Sequence, residues 1–598
     1  MSGLTLVIIA LSVYALAYRF YGAWIAAKIL VFDENRPTPA YRFENGYDYV
    51  PTNKWILFGH HFAAIAGAGP LVGPVLAAQF GYLPGALWIL IGAVLAGAVH
   101  DMVILFASVR HDGSSIIDIA RKEVGKVSGV ATAIAVLFII TLTLAGLALV
   151  VVNALYNSPW GTFTVAATIL IAMYMGIHMK YIRKDDVVGA TIIGVILLVL
   201  SVIAGPYVEK TALGHFLTFN AKQMTVILAI YGFAAAVLPV WLLLVPRDYL
   251  STYLKLGVMA LLAIGVIIVN PEIRMPAITQ YVAGGGPIIP GKVWPYVFIT
   301  IACGAISGFH SLISSGTTPK MIKNEKDILP VAYGAMLAEG FVAIMALIAA
   351  TSLIPADYFA INVPPQVFEK LGMHPVELQH LSQMVGENVA GRPGGGVTLA
   401  VGMTYIFRKI PFLAHLSSFI YHFIILFEAL FILTTIDAGT RVGRYLLQEA
   451  GGLIYKPFAD RNWWPGIIIT SAIISFTWGY LVYGGSVSTI WPIFGASNQL
   501  LAGIALALGT TIIIKKGKAQ YAWVTFVPFL FISITTLYAS YLNIVNNYLP
   551  KGNWILVILS AAVITLAITI IIDSIIKWYR WLFANKLTKE YVERSLFN

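Results

Sequence analysis

A succession of apolar runs, each about 20 residues long, recurs from residue 3 to residue 577 and constrains this chain more than any other feature. Water is absent from a bilayer core, so a segment that crosses it must satisfy its own backbone as a helix or within a closed barrel. The runs are continuous rather than alternating, which selects helices. Only 11% of the residues are charged, against roughly 25% in a soluble domain. The expected fold class is an all-α polytopic membrane protein with about 15 transmembrane helices. They fall near 3–31, 55–79, 83–108, 127–152, 161–178, 187–205, 224–245, 253–270, 295–316, 330–353, 412–438, 465–483, 489–513, 520–544 and 554–577. The first run has no small-residue cleavage site and continues to Lys28, so it reads as an anchor and not as a removed signal peptide.

Lys and Arg in the connections set the orientation. One set of connections, which includes Arg110, Lys126, Lys180, Arg247, Lys255, Lys320, Arg441, Arg461, Lys515 and the tail after Lys577, holds 27 of them; the opposite set holds nine. The first set is assigned to the cytoplasm, with the N-terminus outside and the C-terminus inside. This bias also accounts for the net charge of +11 without a nucleic-acid partner. The stretch 395–408 is apolar but short, and it lies between three glycines and Arg408-Lys409. It is read as a re-entrant or surface helix that does not cross. The surrounding outside loop 354–411, with Asp357, Glu369, Glu377 and Glu387, reads as a solvated loop, with a lid or plug over an entrance as the alternative.

Two spans contain residues that break helices. The second runs His60-His61-Phe62-Ala63-Ala64-Ile65-Ala66-Gly67-Ala68-Gly69-Pro70 and is followed by Leu83-Pro84. The ninth runs Gly308-Phe309-His310-Ser311 to Gly316-Thr317-Thr318-Pro319 and is followed by Leu329-Pro330. Proline removes a donor and clashes one turn back, so neither span can stay an unbroken helix. Seven spans separate the two, an odd number, so the copies are inverted. Inverted repeats with interrupted helices point to a secondary transporter.

Four long strings, HHFAAIAGAGPLVGPVLAAQ at 60–79, SGFHSLISSGTTPK at 307–320, FEALFILTTIDAGTRVGRY at 427–445 and WPIFGASNQLLA at 491–502, resemble the carbon starvation protein A family. The resemblance extends from about residue 3 to about residue 545. It implies a proton-linked importer of peptides or pyruvate, used when carbon runs out. It also implies the LeuT-like fold of the amino acid–polyamine–cation superfamily, with two inverted five-helix repeats. These would occupy 55–205 and 295–513, with an extra helix at 1–32, an inserted pair at 224–270 and extra C-terminal helices at 520–577.

The residues themselves offer a candidate site. Exposed backbone ends at a break attract charged ligands, so a substrate carboxylate is expected near Gly67, Ala68 and Gly69. Ser311, Ser314, Ser315 and Thr317 provide hydroxyls at the second break, although such hydroxyls often bond to the preceding turn. His61 and His310 flank the two breaks and complete the expected substrate site. Intramembrane ionisable residues are functional candidates by default. Glu428, near the middle of its span, is the leading proton carrier, with His60, His422 and Asp101 as further coupling candidates. Thr434 and Thr435 occupy positions where sodium-using members of the superfamily place hydroxyl ligands, so sodium coupling stays open. Asp437 and Arg441, four apart, read as a salt bridge within one helix. Arg247-Asp248 reads as a cytoplasmic loop.

Cys303, the one cysteine, reads as a small buried hydrophobe and excludes a disulfide framework. Histidines and Glu428 together carry the ingredients of a metal site but no short ligand spacing, so the identity of any metal is left open and no cofactor is expected. Walker, nucleophile-elbow and zincin motifs are absent. The reading is therefore a non-enzymatic secondary transporter of the inner cell membrane. Its partners are a small-molecule substrate, a coupling proton or sodium ion, and the bilayer. Its rivals are a membrane-embedded enzyme and a nutrient sensor.

Overall fold

The computed structural model describes residues 1–45, 49–67, 69–183, 186–239, 242–452, 454–460 and 463–583. It is built from helices, and among the described residues no strand forms beyond two isolated bridges. In chain order the main helices are α1 (Gly3–Leu30), α2 (Lys54–Ile65), α3 (Gly69–Phe80), α4 (Tyr82–Arg110), α5 (Lys126–Leu155), α6 (Pro159–Ile182), α7 (Val188–Glu209) and α8 (Ala221–Val237). Then come α9 (Leu244–Val269), α10 (Val293–Thr300) and α11 (Phe309–Ser314). The last are α12 (Glu325–Thr351), α13 (Gly396–Arg408), α14 (Pro411–Gly452), α15 (Trp464–Gly484), α16 (Val487–Lys515), α17 (Trp523–Tyr548) and α18 (Trp554–Leu582).

Among the described residues, eleven of these helices are long and apolar enough to cross a membrane, and twelve if α2 and α3 are one bent span. This is fewer than the fifteen expected. Two of the missing spans have a physical cause. The ninth expected span is split into α10 and α11, which are too short to cross singly. The seventh has only 17 residues as α8. Of the eighth, α9, only the stretch Gly257–Val269 falls in the count among the described residues; the helix begins nine residues before the expected 253 and so takes in Arg247.

Helices α4, α5, α12, α14 and α16 form the buried centre, while α1, α7 and α18 expose apolar faces such as Val188, Ile192 and Ile196 of α7. A surface of that kind is suited to lipid. The segment 354–411 is not the solvated loop expected from its polar composition. Asp357 accepts the backbone N–H groups of Val376 at 2.8 Å and Leu378 at 3.1 Å, which folds the segment back on itself. Its helix α13 is buried along most of its length against α3, α5, α9, α12 and α14. Thirteen residues at 1.5 Å each give about 20 Å, short of the roughly 30 Å hydrocarbon core, so α13 packs into the bundle but is too short to cross by itself.

Candidate functional site

Both expected breaks are present, and they pack on each other. The chain leaves helical geometry at Ala66, where ψ is 74°, and resumes at Gly69, with a bend of 48° between α2 and α3. The other break spans 301–308, between α10 and α11. A Cβ on Gly69 would lie 2.3 Å from Cβ of Cys303, and one on Gly73 would lie 2.6 Å from the Thr300 carbonyl oxygen. Glycine is required at both positions, at Gly69 because the Cys303 side chain fills the space and at Gly73 because the Thr300 backbone does.

Around this crossing the structure gathers some of the expected residues. His61, fully buried, places Nδ1 2.8 Å from Thr318 Oγ1, tying α2 to the segment after α11. Gly67 faces Thr435, whose Oγ1 would be 3.5 Å from a Cβ there. His310, at the start of α11, has Nδ1 2.9 Å from Asp101 Oδ2 and Nε2 3.1 Å from Glu339 Oε2. Asp101 Oδ1 is in turn 2.6 Å from His100 Nδ1. Asp101 is thus held between two imidazoles at the centre of the bundle.

Other expected residues are engaged locally or lie apart. Ser311 donates to the Gly308 carbonyl and Ser315 to the Ser311 carbonyl, each at 2.6 Å. Ser315 also accepts the Ile116 N–H at 2.9 Å. Ser314 is buried with no partner for its hydroxyl among the described residues. Thr317 and His60 are exposed. Thr434 and Thr435 both donate to the Phe431 carbonyl, so their hydroxyl protons serve the helix. Ala68 lies outside the described residues.

Glu428 is apart from the breaks. It is 1% exposed, and neither carboxylate oxygen has a hydrogen-bond partner among the described residues. A Cβ on Gly396 would be 2.7 Å from Glu428 Oε2, so the carboxylate packs on the first turn of α13. That turn exposes backbone N–H groups and the positive end of the helix dipole.

His422 lies elsewhere again, stacked 3.6 Å from Trp160 at an interplanar angle of 9°. Its Nε2 is 3.1 Å from Glu387 Oε1, and Ser158 donates to the same carboxylate. Burial by itself would raise the Glu387 carboxyl. The hydrogen bond and charge of His422, with Arg392 nearby, hold it below its ordinary value of 4.5 instead. This contact clamps the 354–411 segment onto α6 and α14.

Two positively charged side chains read from sequence as loop residues prove to be interior. Arg247, fully buried, reaches Asp437 Oδ2 at 3.3 Å, and the Tyr231 hydroxyl donates to the same oxygen at 2.8 Å. The expected Asp437–Arg441 bridge does not form, because Arg441 donates instead to the carbonyls of Ala235 and Leu238. Lys255, 4% exposed, donates to the Ala63 carbonyl at 2.9 Å and sits 4.0 Å from the Phe431 ring centroid. It therefore places an ammonium at the broken end of α2. A lone lysine inside an apolar run was the available signal, and its nearness to a predicted loop masked it.

The arrangement suits a transporter: interrupted helices that cross in the interior, with ionisable groups buried around them. Comparison with known proteins agrees. The family model for carbon starvation protein CstA matches residues 2–539. The chain is 52% identical over 583 residues to the peptide transporter CstA of Bacillus subtilis (strain 168), covering 97% of both. It is 50% identical over 564 residues to the peptide transporter CstA of Campylobacter jejuni (90% of this chain, 80% of the relative). It is 47% identical over 583 residues to the pyruvate/proton symporter BtsT of Escherichia coli (strain K12) (90% and 81%). These relatives are transporters and not enzymes, and this chain, a multi-pass membrane protein, belongs to the carbon starvation protein CstA family.

Proposed function

We propose that this protein is a proton-coupled symporter that imports small carboxylates, peptides or pyruvate, across the inner cell membrane. The observation that carries the reading is Glu428, a buried carboxylate with no hydrogen-bond partner among the described residues, packed on the N-terminal turn of α13. A charged, unpaired carboxylate there costs on the order of 3 kcal/mol or more. Protonation removes that cost, and the α13 terminus supports the ionised form when water reaches it. A group with two tolerable states can take a proton from one side and release it to the other. The substrate carboxylate docks at the paired breaks, near Gly67, Ala68 and Gly69, with His61 and Ser314 as polar neighbours.

Proton coupling is favoured over sodium at Thr434 and Thr435. The open end of α2 attracts a cation, and Lys255 already supplies one there. The architecture we propose keeps the two inverted repeats at 55–205 and 295–513. The ninth span is counted as one crossing through α10 and α11, with the N-terminus outside and the C-terminus in the cytoplasm. The test is Glu428→Gln, reconstituted in liposomes. It should abolish substrate accumulation driven by a pH gradient while leaving substrate exchange intact. Accumulation equal to that of the unaltered protein would make the carboxylate structural.

A further inference from the structure

Cys303, His310 and Glu339 reach one point from three places: the break after α10, the start of α11 and the middle of α12. Their donor atoms lie within 4.8 Å of one another, and the three residues are 8%, 0% and 0% exposed. The two ring nitrogens of His310 face different neighbours. Asp101 accepts from Nδ1 at 2.9 Å and is itself anchored by His100 at 2.6 Å. With the proton on Nδ1, the Nε2 lone pair points toward Cys303 Sγ at 3.8 Å and Glu339 Oε2 at 3.1 Å.

A lone pair that faces a carboxylate and a thiol needs a positive charge between them. A proton on Nε2 serves poorly, because neither Glu339 oxygen is aligned to accept a hydrogen bond from any described group. A metal ion has no such alignment to meet. Zinc binds thiolate at about 2.3 Å, imidazole at about 2.0–2.1 Å and carboxylate at about 2.0–2.2 Å in tetrahedral sites. Those lengths place neighbouring donors about 3.4–3.6 Å apart, and the observed 3.1 and 3.8 Å bracket that range. A carboxylate that fixes the far nitrogen of a ligating histidine is the usual outer partner of such a site, and Asp101 stands in that position.

We propose that Cys303, His310 and Glu339 bind a divalent first-row transition cation, zinc by preference, with Asp101 as the positioning residue for the imidazole. The thiolate excludes magnesium and calcium as preferred occupants. A thiolate and a carboxylate neutralise the dication, so the ion and its three ligands together carry no net charge. Three protein ligands leave a fourth position open. The ion ties the interrupted span, through Cys303 and His310, to α12 through Glu339.

The single cysteine makes the test unambiguous. Purified, tag-free full chain is titrated with cobalt(II), then with zinc(II). Thiolate-to-cobalt charge-transfer absorption can come only from Cys303. The expected result is saturation at one cobalt per chain, loss of the band on adding zinc, and a melting temperature that rises with zinc concentration. Cys303→Ser should abolish the band. Asp101→Asn should keep it while weakening binding about 10–100-fold. If the unaltered protein shows no such band, the His310 cluster holds only protons and the proposal fails. Unchanged affinity in Asp101→Asn would remove its positioning role.

Discussion

Arg247→Met tests whether the interior ion pair holds the bundle together. Arg247 is fully buried and Asp437 is 1% exposed, at 3.3 Å from each other. Removing one partner of a buried pair costs about 3–5 kcal/mol, because the other charge is left without compensation. Here the Tyr231 hydroxyl still donates to Asp437 at 2.8 Å, which places the expected loss at the lower end, about 3 kcal/mol. Replacing both residues, Arg247→Met with Asp437→Leu, removes the stranded charge and should recover most of that loss. Equilibrium unfolding in mixed detergent, read as a double-mutant cycle, measures the coupling. The reasoning is refuted if the single change costs less than about 1 kcal/mol, or if the double variant loses the sum of the two single losses.

Three further outcomes follow from the same packing. Gly69→Val places a Cβ 2.3 Å from Cys303 Cβ and should cost about 1–3 kcal/mol along with transport; a variant that melts and transports like the parent would show that the breaks do not meet. Glu387 sits below its ordinary carboxyl value, so its clamp stabilises the fold above that ordinary value and is lost as pH falls through the lower folded one. Glu387→Gln should therefore lose about 1–2 kcal/mol near neutral pH and converge with the parent in acid, as thermal melts across pH would register. Lys255→Met removes the ammonium from the Ala63 carbonyl and should lower both stability and proton-driven uptake; wild-type uptake in that variant would make the lysine dispensable.

The break in the second span was legible because the Gly-Ala-Gly-Pro string violates helix chemistry locally, and local violations survive without a structure; the ninth span breaks at 301–308, ahead of its Ser-Gly-Thr-Thr-Pro string. The cluster at His310 was legible only in part. His310, Asp101 and Glu339 each stand out as ionisable residues in apolar runs, but their meeting depends on α4, α11 and α12 converging, which no spacing encodes. Cys303 looked like packing for the same reason. Segment 354–411 misled through composition: two of its carboxylates face inward, Asp357 onto backbone N–H groups and Glu387 onto His422. Arg247 and Lys255 misled through position, since a charge near the end of an apolar run reads as loop until the helix is seen to begin earlier.

Coupling is the claim on which the functional account rests, and one measurement addresses it directly. The purified chain is reconstituted in liposomes, and accumulation of labelled pyruvate and of a labelled dipeptide is followed under an inward proton gradient, then under an inward sodium gradient. The account predicts that at least one of the two solutes is concentrated when the outside is acidic and that neither is concentrated by sodium alone. Accumulation that follows sodium and ignores the pH gradient would contradict it and return Thr434 and Thr435 to the coupling site.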